Sequence, residues 1–148
     1  MPEKFLKPYD ASATEARLYE AWEKSGLFNP DECVKQGVTS TDAEIFSVVL
    51  PPPNVTGSLH IGHAYEDSLQ DAVVRYQRMR GKRTVWIPGT DSAAIATQAR
   101  VEKNIQKDEA KNRHDLGREE LVRRVSEFAK NSENAILSQI RIMGASLD

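Results

Sequence analysis

Three consecutive prolines, Pro51, Pro52 and Pro53, follow directly on the apolar run Ile45–Leu50, and this junction restricts the local fold more than any other stretch. Ile45–Leu50 is rich in β-branched residues and reads as a short buried strand. Proline has no backbone N–H to give to a ladder, so the strand must stop there. Thr56, Gly57 and Ser58 then supply a turn, with Gly57 relieving any demand for positive φ. The chain next enters a helix close to His60–His63. The first N–H groups of such a helix are unpaired and its dipole end is positive, so a nucleotide phosphate is a natural guest.

The 148 residues suffice for one domain with a core, and 39% hydrophobic with 28% charged residues is ordinary globular composition. A formal net charge of −2 provides no global basic field, so nucleic acid would need a local patch. The single cysteine, Cys33, cannot form an internal disulfide, and the start MPEKFLK lacks the apolar core of a secretory signal. No apolar run approaches the length of a membrane span, and no repeat is evident. A cytoplasmic location with no membrane partner is expected.

Residues 1–43 read as a helical lead-in and loop. Ser12 and Glu15 are spaced as a capping box for a helix that buries Leu18 and Trp22 and ends at Gly26. Asn29 to Asp42 reads as a connecting loop. Residues 44–148 then alternate strand and helix. A helix from about His63 to Arg80 carries Tyr65, Leu69, Ala72, Val73, Tyr76 and Met79 on one face, with Gly81 at the C-cap. Thr84–Ile87 is a second strand, Pro88-Gly89 a turn, and Ala93 to about Lys107 a further helix. Asp115 is placed to cap a last helix from about Arg118 to Met143, with Leu121, Val125, Phe128, Ala135, Ile136 and Ile140 inward. The order predicts an α/β fold with a parallel sheet, in which ligands bind beyond the carboxyl ends of the strands. Pro51–His63 and Pro88–Asp91 both lie there.

His60 and His63 are three residues apart and can point the same way from a first helical turn. As donors they could follow the charge that grows on phosphate oxygens when a nucleophile attacks the α-phosphorus of ATP. By analogy with a removed oxyanion donor, each would contribute about 3 kcal/mol, or roughly a hundredfold in rate. Gly62 leaves room for a ribose or base at the helix start. Two plainer readings compete. An H-x-x-H pair can hold zinc, but only Cys33 and His114 remain as His or Cys partners, both distant in sequence. The pair can also be structural, one ring capping and one packed.

The stretch PPPNVTGSLHIGHA, Pro51 to Ala64, resembles the HIGH signature of class I aminoacyl-tRNA synthetases in the form used by valyl-tRNA synthetases. SLQDAVVRYQRMRG (Ser68 to Gly81), PGTD with IATQ (Pro88 to Gln98), RHDLGRE (Arg113 to Glu119) and GASLD (Gly144 to Asp148) resemble further stretches of the same enzymes. The likeness runs from Tyr9 to the last residue. It implies the first half of a Rossmann-type class I catalytic domain, with parallel strands and flanking helices. It also implies activation of valine with ATP, carried with Mg²⁺ as substrate, to valyl-adenylate, followed by transfer to tRNA(Val). No tightly bound cofactor and no protein-held metal are implied.

Carried over residue by residue, His60 and His63 would contact ATP phosphates in the transition state, and Gly62 would lie near the nucleotide. Pro52, Pro53 and Asn54 would border the amino-acid pocket, the prolines as a rigid wall and Asn54 as a polar amide. Asp91 would hold the substrate ammonium, although a carboxylate at that position is equally a helix N-cap. The family commonly has His-Ala-Gly after this aspartate, where this chain has Ser92, Ala93 and Ala94. The resemblance stops in mid-pattern at Asp148, before any editing insertion or KMSKS loop, which implies a fragment inactive by itself. Such a fragment is expected to expose an apolar strand edge and to self-associate. The alternative is a stand-alone module that holds nucleotide or RNA through the crevice or the basic stretch Arg75 to Arg83.

Overall fold

A computed structural model describes residues 8–148; the charged start at 1–7 lies outside them. Eight elements follow in order: α1 (Ala11–Ser25), α2 (Pro30–Lys35), β1 (Ile45–Val49), α3 (Ile61–Met79), β2 (Arg83–Ile87), α4 (Ala94–Glu109), α5 (Arg113–Leu116) and α6 (Arg118–Ile142). The two strands run parallel, Ile45 opposite Arg83 through Val49 opposite Ile87. The expected strand, helix, strand, helix order is therefore present, with parallel strands and flanking helices.

The strands carry one covered face. Trp86 is fully buried, and with Leu50, Val55, Val74, Ile136, Ile140 and Ala145 it forms the core, joined from β1 by Phe46 and Val48. The other face is barer than a fully buried strand would have, since Ile45 is 71% and Val49 65% exposed. Continuous apolar character therefore overstated the burial of β1. Among the described residues nothing covers the Ile45, Ser47, Val49 face closely enough to bury it.

Helix α3 faces the opposite way from its hydrophobic pattern. Tyr65, Leu69, Val73, Tyr76 and Met79 are exposed, whereas Asp67 and Val74 are buried. The inward face is polar and most of its groups have partners, although the buried Arg78 Nε has none. Gln70 Oε1 accepts from the Trp86 indole N–H at 3.1 Å. Asp71 Oδ1 accepts from the Ser146 backbone N–H at 3.1 Å. Arg78 donates to the carbonyls of Phe28, at 3.1 Å, and Ser146, at 2.9 Å, while Arg75 donates to Gly144 O at 2.7 Å. These charge-assisted bonds clamp the C-terminal segment onto α3, and they outweigh the apolar stripe in deciding which face turns inward.

Five local expectations are corrected. Asp10 caps α1, accepting from Ala13 N–H at 3.1 Å and from Ser12 Oγ at 2.8 Å, because a carboxylate is the stronger acceptor at a helix start. Leu18 and Trp22 lie at the surface, Trp22 beneath the Arg75 guanidinium at 4.9 Å. The supposed loop after Asn29 contains α2, capped by Asn29 with Pro30 at its first position. Asp115 sits within α5, where it closes a capping box with Asn112, and α6 starts instead after Gly117; Ala135 is exposed.

Gly26 and Gly81 take the left-handed conformation at the ends of α1 and α3, as expected, whereas Gly57 does not need it. Helix α4 packs on α6 through Thr97, Val101 and Ile105. Among the described residues, no helix is long and apolar enough to cross a membrane.

Candidate functional site

Beyond the carboxyl ends of both strands the backbone continues to pair. Leu50 N–H donates to Ile87 O at 2.9 Å before the prolines interrupt the ladder. Pairing resumes past them as a parallel bridge between Asn54 and Asp91, with Asp91 N–H to Pro53 O and Val55 N–H to Asp91 O both at 2.9 Å. Pro53 needs no partner for a missing N–H, so its carbonyl alone completes the contact. This bridge brings together two loops that are distant in sequence.

The chain then rises into α3. Leu59 N–H is held by the Gln139 side chain at 2.9 Å, which ties the loop to α6. His60 is the N-cap, with its Nδ1 accepting from Gly62 N–H at 3.1 Å. His63 reaches back, its Nδ1 accepting from His60 N–H at 3.1 Å. The two rings stack at 3.8 Å between centroids and 29° between planes. Two imidazoles thus form a capping box usually made by hydroxyl and carboxylate side chains.

This arrangement sets the tautomers. An Nδ1 that accepts a backbone N–H cannot itself carry a proton, so each neutral ring holds its proton on Nε2. Both rings can offer that Nε2–H to a ligand without disturbing the cap, whereas protonating Nδ1 would break it. Gly62 is set against the His60 side chain. A Cβ there would stand 2.9 Å from His60 Cε1, so the glycine makes room for the His60 ring itself.

Pro52, Pro53, Asn54, His60 and His63 line one cavity of about 850 Å³. The opposite wall is α4, through Ala96, Ala99, Arg100 and Lys103. Gly62 and Asp91 are not among its walls; Asp91 stands beside Asn54 through the bridge. The Asp91 Oδ1 accepts from Ala93 N–H at 2.9 Å, but Ala93 is the N-cap of α4 and that helix has no side-chain cap bond, so Asp91 is not the cap. Ala93 itself is left-handed at φ 42°, and Ser92 O takes the Thr97 hydroxyl at 2.7 Å. The departures from His-Ala-Gly are at Ser92 and Ala94, whereas the left-handed Ala93 is the position that agrees with it.

Among the described residues, no three His, Cys, Asp or Glu side chains gather as a metal-holding group. A separate cavity of about 660 Å³ lies between α1 and α6, and both of its cations are paired, Arg75 with Asp71 and Arg141 with Glu23. The basic stretch read as a possible RNA face is largely committed to internal contacts: Arg75 and Arg78 as above, Lys82 to Glu44 and Arg83 to Asp31. Arg100 and Lys103 were missed from the sequence; two cations three apart, about three turns after Asp91, are the signal that could have marked them.

Parallel strands with a crevice at their carboxyl ends, walled by a helix N-terminus, are the arrangement in which α/β folds bind ligands. The chain belongs to the class I tRNA synthetases of the I, L, M and V group, whose family model matches residues 17–148. It is similar to the valine–tRNA ligase of Chlamydia pneumoniae, 47% identical over 146 residues, covering 99% of this chain and 15% of that relative. Valine–tRNA ligases of Caulobacter vibrioides and Treponema denticola are each 49% identical over 142 residues, covering 96% of this chain and 15% of the relative. The chain thus spans about 15% of the length of the curated relatives it matches.

Proposed function

We propose that this chain is the ATP-side half of the catalytic domain of a cytoplasmic enzyme that activates valine and transfers it to tRNA(Val). Residues 44–148 carry the nucleotide half and residues 1–43 its lead-in. The observation that carries this reading is the stacked, mutually capping pair His60 and His63, whose Nε2–H groups are left for a ligand at a helix N-terminus.

In the reaction, a valine carboxylate oxygen attacks the α-phosphorus of ATP. A new P–O bond forms, the bond to the β-phosphate oxygen breaks, and pyrophosphate leaves with its Mg²⁺. Charge grows on the phosphate oxygens, and the two Nε2–H donors stabilise it more in the transition state than in the ground state. Pro52 and Pro53 wall the small side chain, Asn54 meets polar groups of the amino acid, and the free Oδ2 of Asp91 takes its ammonium. A pocket of this kind excludes larger side chains but discriminates weakly against threonine, a limit already known for valyl enzymes.

In the complete enzyme, His60→Ala or His63→Ala should lower valine-dependent ATP–pyrophosphate exchange by about a hundredfold. A loss below threefold would remove both residues from the mechanism. Residues 1–148 alone should not aminoacylate, and exchange by them at near full-length rates would refute the need for further sequence. The alternative, a module that holds RNA through Arg75 to Arg83, finds little support when most of those cations are engaged within the fold.

A further inference from the structure

We propose that Arg100 and Lys103 of α4 are binding residues for the leaving pyrophosphate, closing the crevice opposite the imidazole pair. The inference rests on reading the crevice as the ATP site, and it adds a wall to those formed by the signature residues of this chain.

Four observations converge on it. Both side chains line the cavity that His60 and His63 enter, and no Asp or Glu is among its walls, so every charged group there is cationic or can be. Neither cation is in an ion pair with a carboxylate among the described residues. The nearest acid on the same helix, Glu102, is turned away and accepts from the Gln98 amide at 2.7 Å. Two unpaired cations facing a cavity with no counter-charge favour a polyvalent anion.

The order of residues along α4 gives the direction. Ala96, Ala99, Arg100 and Lys103 follow the i, i+3, i+4, i+7 spacing of a single helix face. The helix begins beside Asp91, where the amino acid is read to sit, and the two alanines come next. Their small side chains leave space against the helix. The cations lie further along, Lys103 about 10 Å beyond Ala96 at 1.5 Å per residue. In-line displacement sends the leaving group to the side of phosphorus away from the attacking carboxylate. Asp91 and Asn54 at one end, with Arg100 and Lys103 towards the other, match that polarity. The imidazoles then stabilise charge at the reacting phosphate, while the α4 cations hold the β- and γ-phosphates as they depart.

The test uses the 148-residue chain and the complete enzyme. Inorganic pyrophosphate is titrated into the ¹⁵N-labelled chain, with AMP as the single-phosphate control. Pyrophosphate should shift the amides of residues 60–63 and 99–103 together, and Arg100→Ala with Lys103→Ala should weaken it by about tenfold or more while AMP changes less than twofold. Exposed helix positions without partners tolerate alanine, so the thermal midpoint should not move. In the complete enzyme the same pair should raise the KM for pyrophosphate in the reverse reaction by about tenfold, leaving the KM for valine unchanged, with Arg100→Lys restoring most of the loss. Equal pyrophosphate affinity in the wild type and the double variant would overturn the proposal while leaving the histidine mechanism intact. Loss of AMP and pyrophosphate binding alike would also overturn it, as a general field effect. Normal exchange by His60→Ala, with the α4 effects still present, would instead overturn the synthetase reading alone.

Discussion

Asn54 and Asp91 stand opposite each other in a parallel bridge just past the point where three prolines have ended the regular ladder. The backbone bonds of the bridge, at 2.9 Å each, fix the two loops before any substrate arrives. Two polar side chains are thus held at the carboxyl end of the sheet on a scaffold rather than on free loops, which is the preorganisation the proposed amino-acid site needs.

The bridge makes the two readings of Asp91 separable. Its Oδ1 accepts from Ala93 N–H at 2.9 Å, a bond that an asparagine oxygen can keep. Asp91→Asn should therefore leave stability within about 0.5 kcal/mol. It should raise the KM for valine in the complete enzyme by tenfold to a hundredfold, on the order of a lost charge-assisted hydrogen bond. Steady-state exchange kinetics together with a thermal melt check both halves. Unchanged KM would leave Asp91 with its bond to Ala93 N–H only.

Gly62 offers a second separation. A Cβ at this position would meet His60 Cε1 at 2.9 Å and Nδ1 at 3.0 Å, so Gly62→Ala must rotate the ring and weaken its bond to the backbone N–H of residue 62. Alanine is otherwise the better helix former, by up to about 1 kcal/mol. The variant should lose at least tenfold in exchange rate while its melting temperature changes little. A rate within twofold of wild type would mean that the ring position is not what Gly62 protects.

Asp67, one helical turn after His63, is 6% exposed, and burial pushes its carboxyl above the ordinary value, with Glu66 adding to the rise and His63 opposing it. The folded state therefore holds this proton to higher pH than the unfolded chain does. Between the ordinary carboxylate value and the raised one, folding binds a proton, so this group's contribution to stability falls as pH rises through that window. Asp67→Asn, which carries no charge to bury, should be more stable than wild type at pH 7 by about 1 kcal/mol. The advantage should shrink as pH drops below the window. Urea unfolding at pH 7 and pH 4 measures it, and an equal difference at both would refute the account.

The chain's local punctuation was readable and its tertiary choices were not. Pro51 to Pro53, Gly26 and Gly81 end their elements where expected, because proline chemistry and left-handed glycine act locally. The inward face of α3 was misread because hydrophobic periodicity registers apolar side chains, not polar ones that have partners elsewhere. Gln70 is matched to Trp86, Asp71 to Ser146 and Arg78 to Phe28, across separations that no local window spans. Helix α2 was legible in principle, since Asn29 followed by Pro30 is a cap followed by a favoured first residue. At the site, the HIGH residues announced themselves through their motif. The mutual capping of His60 and His63, and the approach of Arg100 and Lys103 from α4, arise only once the loops are folded.

The bare side of the sheet carries the last prediction. Only two strands are paired among the described residues, and the outward Ile45 and Val49 of β1 are mostly exposed. Tyr65, Leu69, Val73, Tyr76 and Met79 add a second uncovered apolar stripe on α3. Parallel strands normally have both faces covered, and an open apolar strand edge pairs readily with another chain. The 148-residue chain should therefore associate with itself, seen as a concentration-dependent rise in sedimentation coefficient. Val49→Lys places a charge on that strand and should shift the equilibrium towards monomer. Its fold should persist, because position 49 faces away from the core formed by Trp86 and Leu50. A wild-type chain that stays monomeric at every concentration tested would show that the exposed strand does not recruit a partner.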